Sequence, residues 1–259
     1  MIKMENKYYK LGLVSVSFRK NTPREILDAV RAAGLSCIEW GSDVHAPCTD
    51  ISRLGEIAEL QREYGIECSS YGTYFRLGET PIDQLEQYIS AAKILGTDIL
   101  RLWCGKRSGA DMSDVERGEL LSDCVKAAKI AGESGVTLCM ECHTKTFTQY
   151  LDDALELMRT VNSPCFKMYW QPFQWQGIEE NLAYAEAIAP YTRHIHVFQW
   201  KDKGHLEKFP LADGIEEWRE YLTKFSVPRT LLLEFMPDDK LSTLKTEAAT
   251  LRAIIGEQT

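Results

Sequence analysis

Apolar and polar positions along the chain fall into two alternating rhythms. Eight short runs rich in branched and aromatic residues, KLGLVSVS, LSCIEW, IECSSYG, DILRLW, VTLCMEC, FKMYW, HIHVFQ and RTLLLEF, are each followed by a longer stretch with helical spacing. They recur at about thirty residues, the length of one strand–helix unit. Several are almost continuously apolar, as expected of parallel strands covered by helices. Eight such units are the number that closes a barrel. The pattern therefore predicts an α/β fold, a (β/α)8 TIM barrel, occupying residues 1–259 as a single domain.

The punctuation agrees. Thr22 and Pro23 supply an N-cap and a first-turn proline, and Gly34 ends that helix. Thr80–Pro81 and Gly96 repeat the device, while Ser113 with Glu116 spells a capping box closed near Gly135. No Ser/Gly-rich linker interrupts the chain. An open doubly wound sheet would call for a glycine-rich nucleotide loop after an early strand, and neither G-x-G-x-x-G nor G-x-x-x-x-G-K-[ST] occurs. The sixth run, FKMYW, is short and meets Pro172 almost at once.

Composition narrows the setting. An apolar content of 44% and a charged content of 26% suit an ordinary globular domain. No apolar run approaches the roughly 18 residues of a membrane span. The first residues lack the apolar core and cleavage site of a secretion signal, so a cytoplasmic protein with no membrane partner is expected. A net charge of −8 argues against nucleic acid as a partner. The eight cysteines spell no disulfide framework. Cys139 and Cys142 are spaced C-x-x-C, but strand alternation sends them to opposite faces, which excludes shared chelation.

Chemistry gathers late in the chain. Four successive strand candidates end in side chains that can bind a divalent ion: Glu141, Gln171, His196 and Glu234. Parallel α/β sheets place ligands at the carboxyl ends of their strands. Alternation turns Glu141, Cys139 and His143 inward together, and pairs His196 with His194, Gln171 with Tyr169, and Glu234 with Leu232. Two carboxylates, an imidazole and an amide oxygen with water sites left open suit Mn2+ best, with Mg2+ or Co2+ as alternatives, rather than a closed structural zinc. Taken singly, each residue has a plainer explanation, a helix cap for either glutamate or a hydrogen-bonded core histidine for His196. The joint placement is what makes the constellation specific.

These segments resemble the xylose-isomerase-like barrels, a superfamily of sugar isomerases and epimerases, related dehydratases and lyases, and an apurinic endonuclease branch. The resemblance runs through IEW, SYGTYFRLG, LRLWCGK, MECHTKTFT, HIHVFQWKD and LLLEF, and is nearest the tagatose/psicose 3-epimerase type. It implies a metal held by Glu, Asp, His and Glu from strands five to eight. Glu141, His196 and Glu234 match three of those places. The family's Asp-x-x-His stands here as Gln171-Pro-Phe-Gln174. The amide lowers the negative charge around the ion, which weakens binding but leaves a stronger Lewis acid.

The implied activity is a metal-dependent sugar or sugar-phosphate isomerase or epimerase. It would pass through an enediolate, with Glu141 and Glu234 exchanging the proton. A leaving group at the β-carbon would make the same site a lyase or dehydratase acting on a keto-sugar or keto-glycoside. A sugar-binding relative that has lost catalysis is a further alternative. His45, Trp103, His143, Gln174, Trp200 and Lys201 are the candidate substrate-binding residues, and Trp40, Trp170 and Trp175 also fall near strand ends. Lys106, Arg107 and Lys203 are candidates for a phosphate or carboxylate, and the polar stretch 199–213 for a lid. A small-molecule sugar is the expected partner, and related barrels often form homo-oligomers.

Overall fold

The computed structural model describes residues 9–202, 206–227 and 229–256. Eight parallel strands close into a barrel: β1 (Lys10–Val14), β2 (Cys37–Gly41), β3 (Glu67–Leu77), β4 (Ile99–Cys104), β5 (Thr137–Glu141), β6 (Phe166–Trp170), β7 (Thr192–Val197) and β10 (Thr230–Leu233), the last pairing back onto β1. Between β7 and β10 lies an antiparallel ribbon of β8 (Gln199–Asp202) and β9 (Leu206–Phe209). Part of the stretch expected as a polar lid is therefore strand, and Lys203 lies outside the described residues. Eight helices cover the barrel: α1 (Pro23–Ala32), α2 (Ile51–Tyr64), α3 (Leu85–Leu95), α4 (Asp114–Ser134), α5 (Leu151–Val161), α6 (Ile178–Ile188), α7 (Ile215–Thr223) and α8 (Leu244–Ile255).

Local chemistry explains the helix ends. Thr22 and Ser113 each accept from the backbone N–H three residues on, and Glu25 and Glu116 reach back to complete both capping boxes. Gly96 and Gly135 end α3 and α4 in the left-handed region. Thr80 acts differently from expectation. Its hydroxyl accepts from Arg76 N–H, and a 3-10 turn (Ile82–Gln84) separates it from α3.

Alternation sorts the strands into two cores. Val14, Cys37, Ile99, Cys139, Tyr169 and Leu232 pack inside the barrel. Their neighbours Leu13, Ile38, Leu100, Met140 and Leu233 pack against the helices. Cys139 and Cys142 fall in different cores, and both thiols are free. Among the described residues no helix is long and apolar enough to cross a membrane.

Candidate active site

The upper rim gathers side chains that sequence places far apart. Glu141 is the last residue of β5, and His196 the fifth of the six in β7. Gln171 and Glu234 each follow directly on a strand, β6 and β10. Pro172, which lacks an N–H, follows Gln171 as the chain leaves the sheet. Beyond Glu234 the chain turns sharply: Phe235 has φ +56° and its N–H donates to Ser17 Oγ at 3.0 Å. A bulky residue in that region is strained, and such strain is characteristic of functional sites.

His196 Nδ1 is the hub. Glu141 Oε1 and Glu234 Oε2 each lie 3.3 Å from it, and Gln171 Oε1 lies 3.2 Å away. One ligand atom from each of Glu141, His196 and Glu234 falls within 4.8 Å of the others, and all three residues are buried. Around an ion with bonds of about 2.1 Å, neighbouring donors sit about 3.0–3.4 Å apart, so this set fits a divalent metal. All four candidate ligands converge, Gln171 included.

Electrostatics point the same way. Burial alone would lower the pKa of His196, but Glu234, Glu39 and Glu141 outweigh it and raise it well above the usual imidazole value. Without a metal the surrounding carboxylates thus favour the protonated ring, whose positive charge would stand where the cation would sit. Metal binding must expel that proton. Affinity for a divalent ion is expected to fall about tenfold for each unit of pH lowered below the raised pKa, with about one proton released per ion. Calorimetric titration in two buffers of different ionisation enthalpy measures that proton; none released would contradict the protonated ring.

Behind the ligands lies a network built on two charged residues absent from the candidates drawn from the sequence, Glu39 and Arg101. Arg101 of β4 donates from Nε to Glu39 Oε1 at 2.9 Å and from Nη1 to Glu141 Oε2 at 2.6 Å. Trp103 Nε1 donates to the same Glu141 oxygen at 2.5 Å. Glu39 of β2 also accepts from Ser70 Oγ at 2.9 Å, and its Oε2 lies 3.6 Å from His196 Nε2. Burial alone would raise the Glu39 pKa, but Arg101 and then His196 hold it down to about 2. Burial is likewise outweighed at Glu141, by Arg101 and His196, and its carboxyl stays far below the usual range. A Cβ on Gly72 would sit 2.5 Å from Glu39 Oε1 and 2.8 Å from Arg101 Nη2, so the pair fits only because residue 72 has no side chain. One sequence signal could have found the network: single charged residues in CIEWG and ILRLWC fall on the inward face, where an unpaired charge is prohibitive.

A cavity of about 230 Å³ opens beside the ligands, lined by Trp103, His143, Gln171, Gln174 and Trp200 together with Glu141 and Glu234. His143 Nδ1 lies 2.7 Å from the Thr144 carbonyl, which can only accept, so Nδ1 is the donor of that bond. Arg19 and Tyr74 also line the cavity, and Arg19 pairs with Asp43 and donates to the Tyr74 hydroxyl.

Other sequence candidates fall elsewhere. His45 is buried away from this cavity, with Nδ1 3.0 Å from Ser15 Oγ and its ring against Trp40; burial pushes its pKa down to about 4. The cause is a tight turn after β2, in which the N–H groups of His45 and Ala46 both return to the Gly41 carbonyl. Lys201 is outside the cavity and bonded to Glu217 of α7 at 2.5 Å. Trp40 donates to Gln61 on α2, and Trp170 packs against Trp218, Tyr221 and Phe225, so both belong to the helix layer. Trp175 is exposed against Tyr150 and Phe173. Lys106 and Arg107 pair with Glu79 and Glu116.

Residues 27–254 match the Xylose isomerase-like TIM barrel family. The chain belongs to that family. A curated 3-dehydroshikimate dehydratase of Bacillus anthracis is 24% identical over 132 residues, 51% of this chain and 47% of that protein. The chain thus spans about half the length of the curated relative it matches. Among solved structures, the probable 3-DHS dehydratase of petrobactin synthesis from Bacillus anthracis superposes with a TM-score of 0.76 at 17% identity, covering 93% of this chain and 98% of that one. An L-ribulose 3-epimerase superposes with a TM-score of 0.69 at 15% identity, covering 96% and 94%. At such identities these superpositions establish the fold alone.

Proposed function

We propose that the protein is a divalent-metal-dependent lyase that removes water from a small hydroxy-carbonyl compound, with sugar isomerase or epimerase chemistry as the competing reading. The observation that carries this is the inequality of the two carboxylates. Glu141 has Oε2 occupied by Arg101 and Trp103 and Oε1 turned to His196. Glu234 has only His196 as an ion-pair partner among the described residues. Glu141, held by Arg101 and Trp103, is the less available partner for a two-carboxylate proton exchange. Proton removal from one side, followed by loss of a neighbouring leaving group, asks less of the site. The similarity to a curated 3-dehydroshikimate dehydratase supports the same direction.

Glu141, Gln171, His196 and Glu234 would hold the ion, and three oxygens with one nitrogen suit Mn2+ or Mg2+. Bound there, the ion would polarise the substrate carbonyl and stabilise negative charge on its oxygen. The chain's own residues do the rest. Nε2 of His143 takes the proton from the carbon beside the carbonyl. The C–O bond at the next carbon breaks as the C=C bond forms, and His143 returns its proton to the departing hydroxide, which leaves as water. Gln174, which lines the cavity, would bond a substrate hydroxyl, and Trp103 and Trp200 would wall the cavity against solvent.

The test is incubation of the metal-loaded protein with 3-dehydroshikimate, and separately with ketohexoses, in deuterium oxide, followed by NMR. Loss of water is expected. Exchange of one C–H in a recovered ketose without loss of water would overturn the lyase in favour of the epimerase. His143→Asn is expected to lower kcat about 10²- to 10⁴-fold with metal content unchanged. Full turnover in both Glu141→Gln and Glu234→Gln would end the metalloenzyme reading.

A further inference from the structure

The lower mouth of the barrel, at the amino ends of the strands, holds a cavity of about 450 Å³ lined by none of the metal ligands. Lys10, His194 and Thr230 stand in register there, and Lys167 shares the face of Tyr169, whose ring packs on His194. Alternation turns this layer inward, where barrels of this kind ordinarily carry branched apolar side chains. Arg193 and Arg229 add two guanidinium groups to the lining. An adjoining cavity of about 160 Å³ shares Lys10, Arg193 and His194 and adds Glu67 and Asp98. Across both cavities four cations face two carboxylates, which leaves two positive charges in a chain of net charge −8.

Ordinary structural roles account for part of this cluster. Lys10 is ion-paired with Glu67. Arg229 donates to the Ala189 carbonyl at the end of α6, where the helix dipole favours a cation. Nothing comparable holds Lys167 or Arg193, which have no hydrogen-bonded or ion-paired side-chain partner among the described residues. A second observation is independent of charge. His194 is 5% exposed and lines both cavities; its Nε2 lies 3.1 Å from the Ser69 carbonyl, while Nδ1 has no partner among the described residues. With the proton on Nε2, Nδ1 is a buried acceptor that lacks a donor.

We propose that this mouth binds a small dianion of the hydrogen phosphate class, with Lys167 and Arg193 supplying the charge and His194 Nδ1 accepting a hydrogen bond from its hydroxyl. The site is independent of the reaction proposed for the upper rim. The pairing explains why two unneutralised cations and one orphaned imidazole nitrogen meet in one cavity. A dicarboxylate would satisfy the charge but leave His194 unpaired.

The test uses the full chain, freed of divalent ions by chelation, titrated with inorganic phosphate at constant ionic strength and followed by calorimetry. Saturable binding at one site is expected. Lys167→Gln with Arg193→Gln should weaken it at least tenfold while leaving the melting temperature in chloride unchanged. Glu234→Gln should leave it intact. Absence of saturable binding, undiminished binding in the double variant, or loss of binding in Glu234→Gln would each overturn the site. Succinate should bind more weakly than phosphate, and equal binding would overturn the assignment of His194.

Discussion

Replacing Arg101 by methionine should destabilise the protein by about 3–5 kcal/mol, the usual cost of leaving a buried charge without its partner. The side chain is 4% exposed and bridges Glu39 and Glu141, whose side chains are 0% and 5% exposed. Methionine fills similar space, so the loss would be electrostatic. Three carboxylates, those of Glu39, Glu141 and Glu234, would then share one imidazolium. The depressed Glu39 pKa gives the sign with pH. A carboxyl held down to about 2 in the fold stabilises it above about pH 4.5, and that contribution fades as pH falls towards 2. Arg101→Met should therefore lose part of its deficit relative to the parent at pH 3, and more as the pH falls towards 2. Urea unfolding at pH 7 and pH 3 measures this. Equal stability of the two proteins at pH 7 would show that the network does not hold the fold.

The second large effect concerns metal. Outer partners of metal ligands typically contribute about 10–100-fold in affinity. Glu39→Gln, which alters the group facing His196 Nε2, should fall in that range for Mn2+. Glu141→Ala, which removes a ligand and also orphans Arg101, should lose more than about 100-fold. Chelation of the parent protein should abolish turnover and restoration of the ion should recover it. Metal analysis after gel filtration, beside calorimetric titration, orders the three proteins. A Glu141→Ala protein that kept a stoichiometric ion would move the site elsewhere.

The fold was legible because its signals repeat. Eight apolar runs at strand length, with capping boxes at Thr22 and Ser113, each report the same architecture independently. The β8–β9 ribbon was not legible, because QWKD and LEKF alternate weakly and lie in a polar stretch. The four candidate ligands could be read from position alone, since a polar side chain ending an apolar strand has few places to go. Glu39 and Arg101 were harder. Each looks like a single charge within a strand, and only the register between β2, β3 and β4 brings them together past Gly72. His45 and Lys201 failed for a related reason: a short turn and one acidic residue on α7 redirect them, and neither is visible in strand order.

The missing side chain at Gly72 ties three positions into a single heritable unit. A methyl group there would meet both Glu39 and Arg101, so no side chain can be gained at residue 72 while the pair persists. Relatives that keep the acid on β2 and the arginine on β4 should keep glycine between them. Lineages that acquire a side chain at 72 should have surrendered the pair, and with it the fixed orientation of Glu141. An alignment in which these three columns varied independently would contradict that linkage.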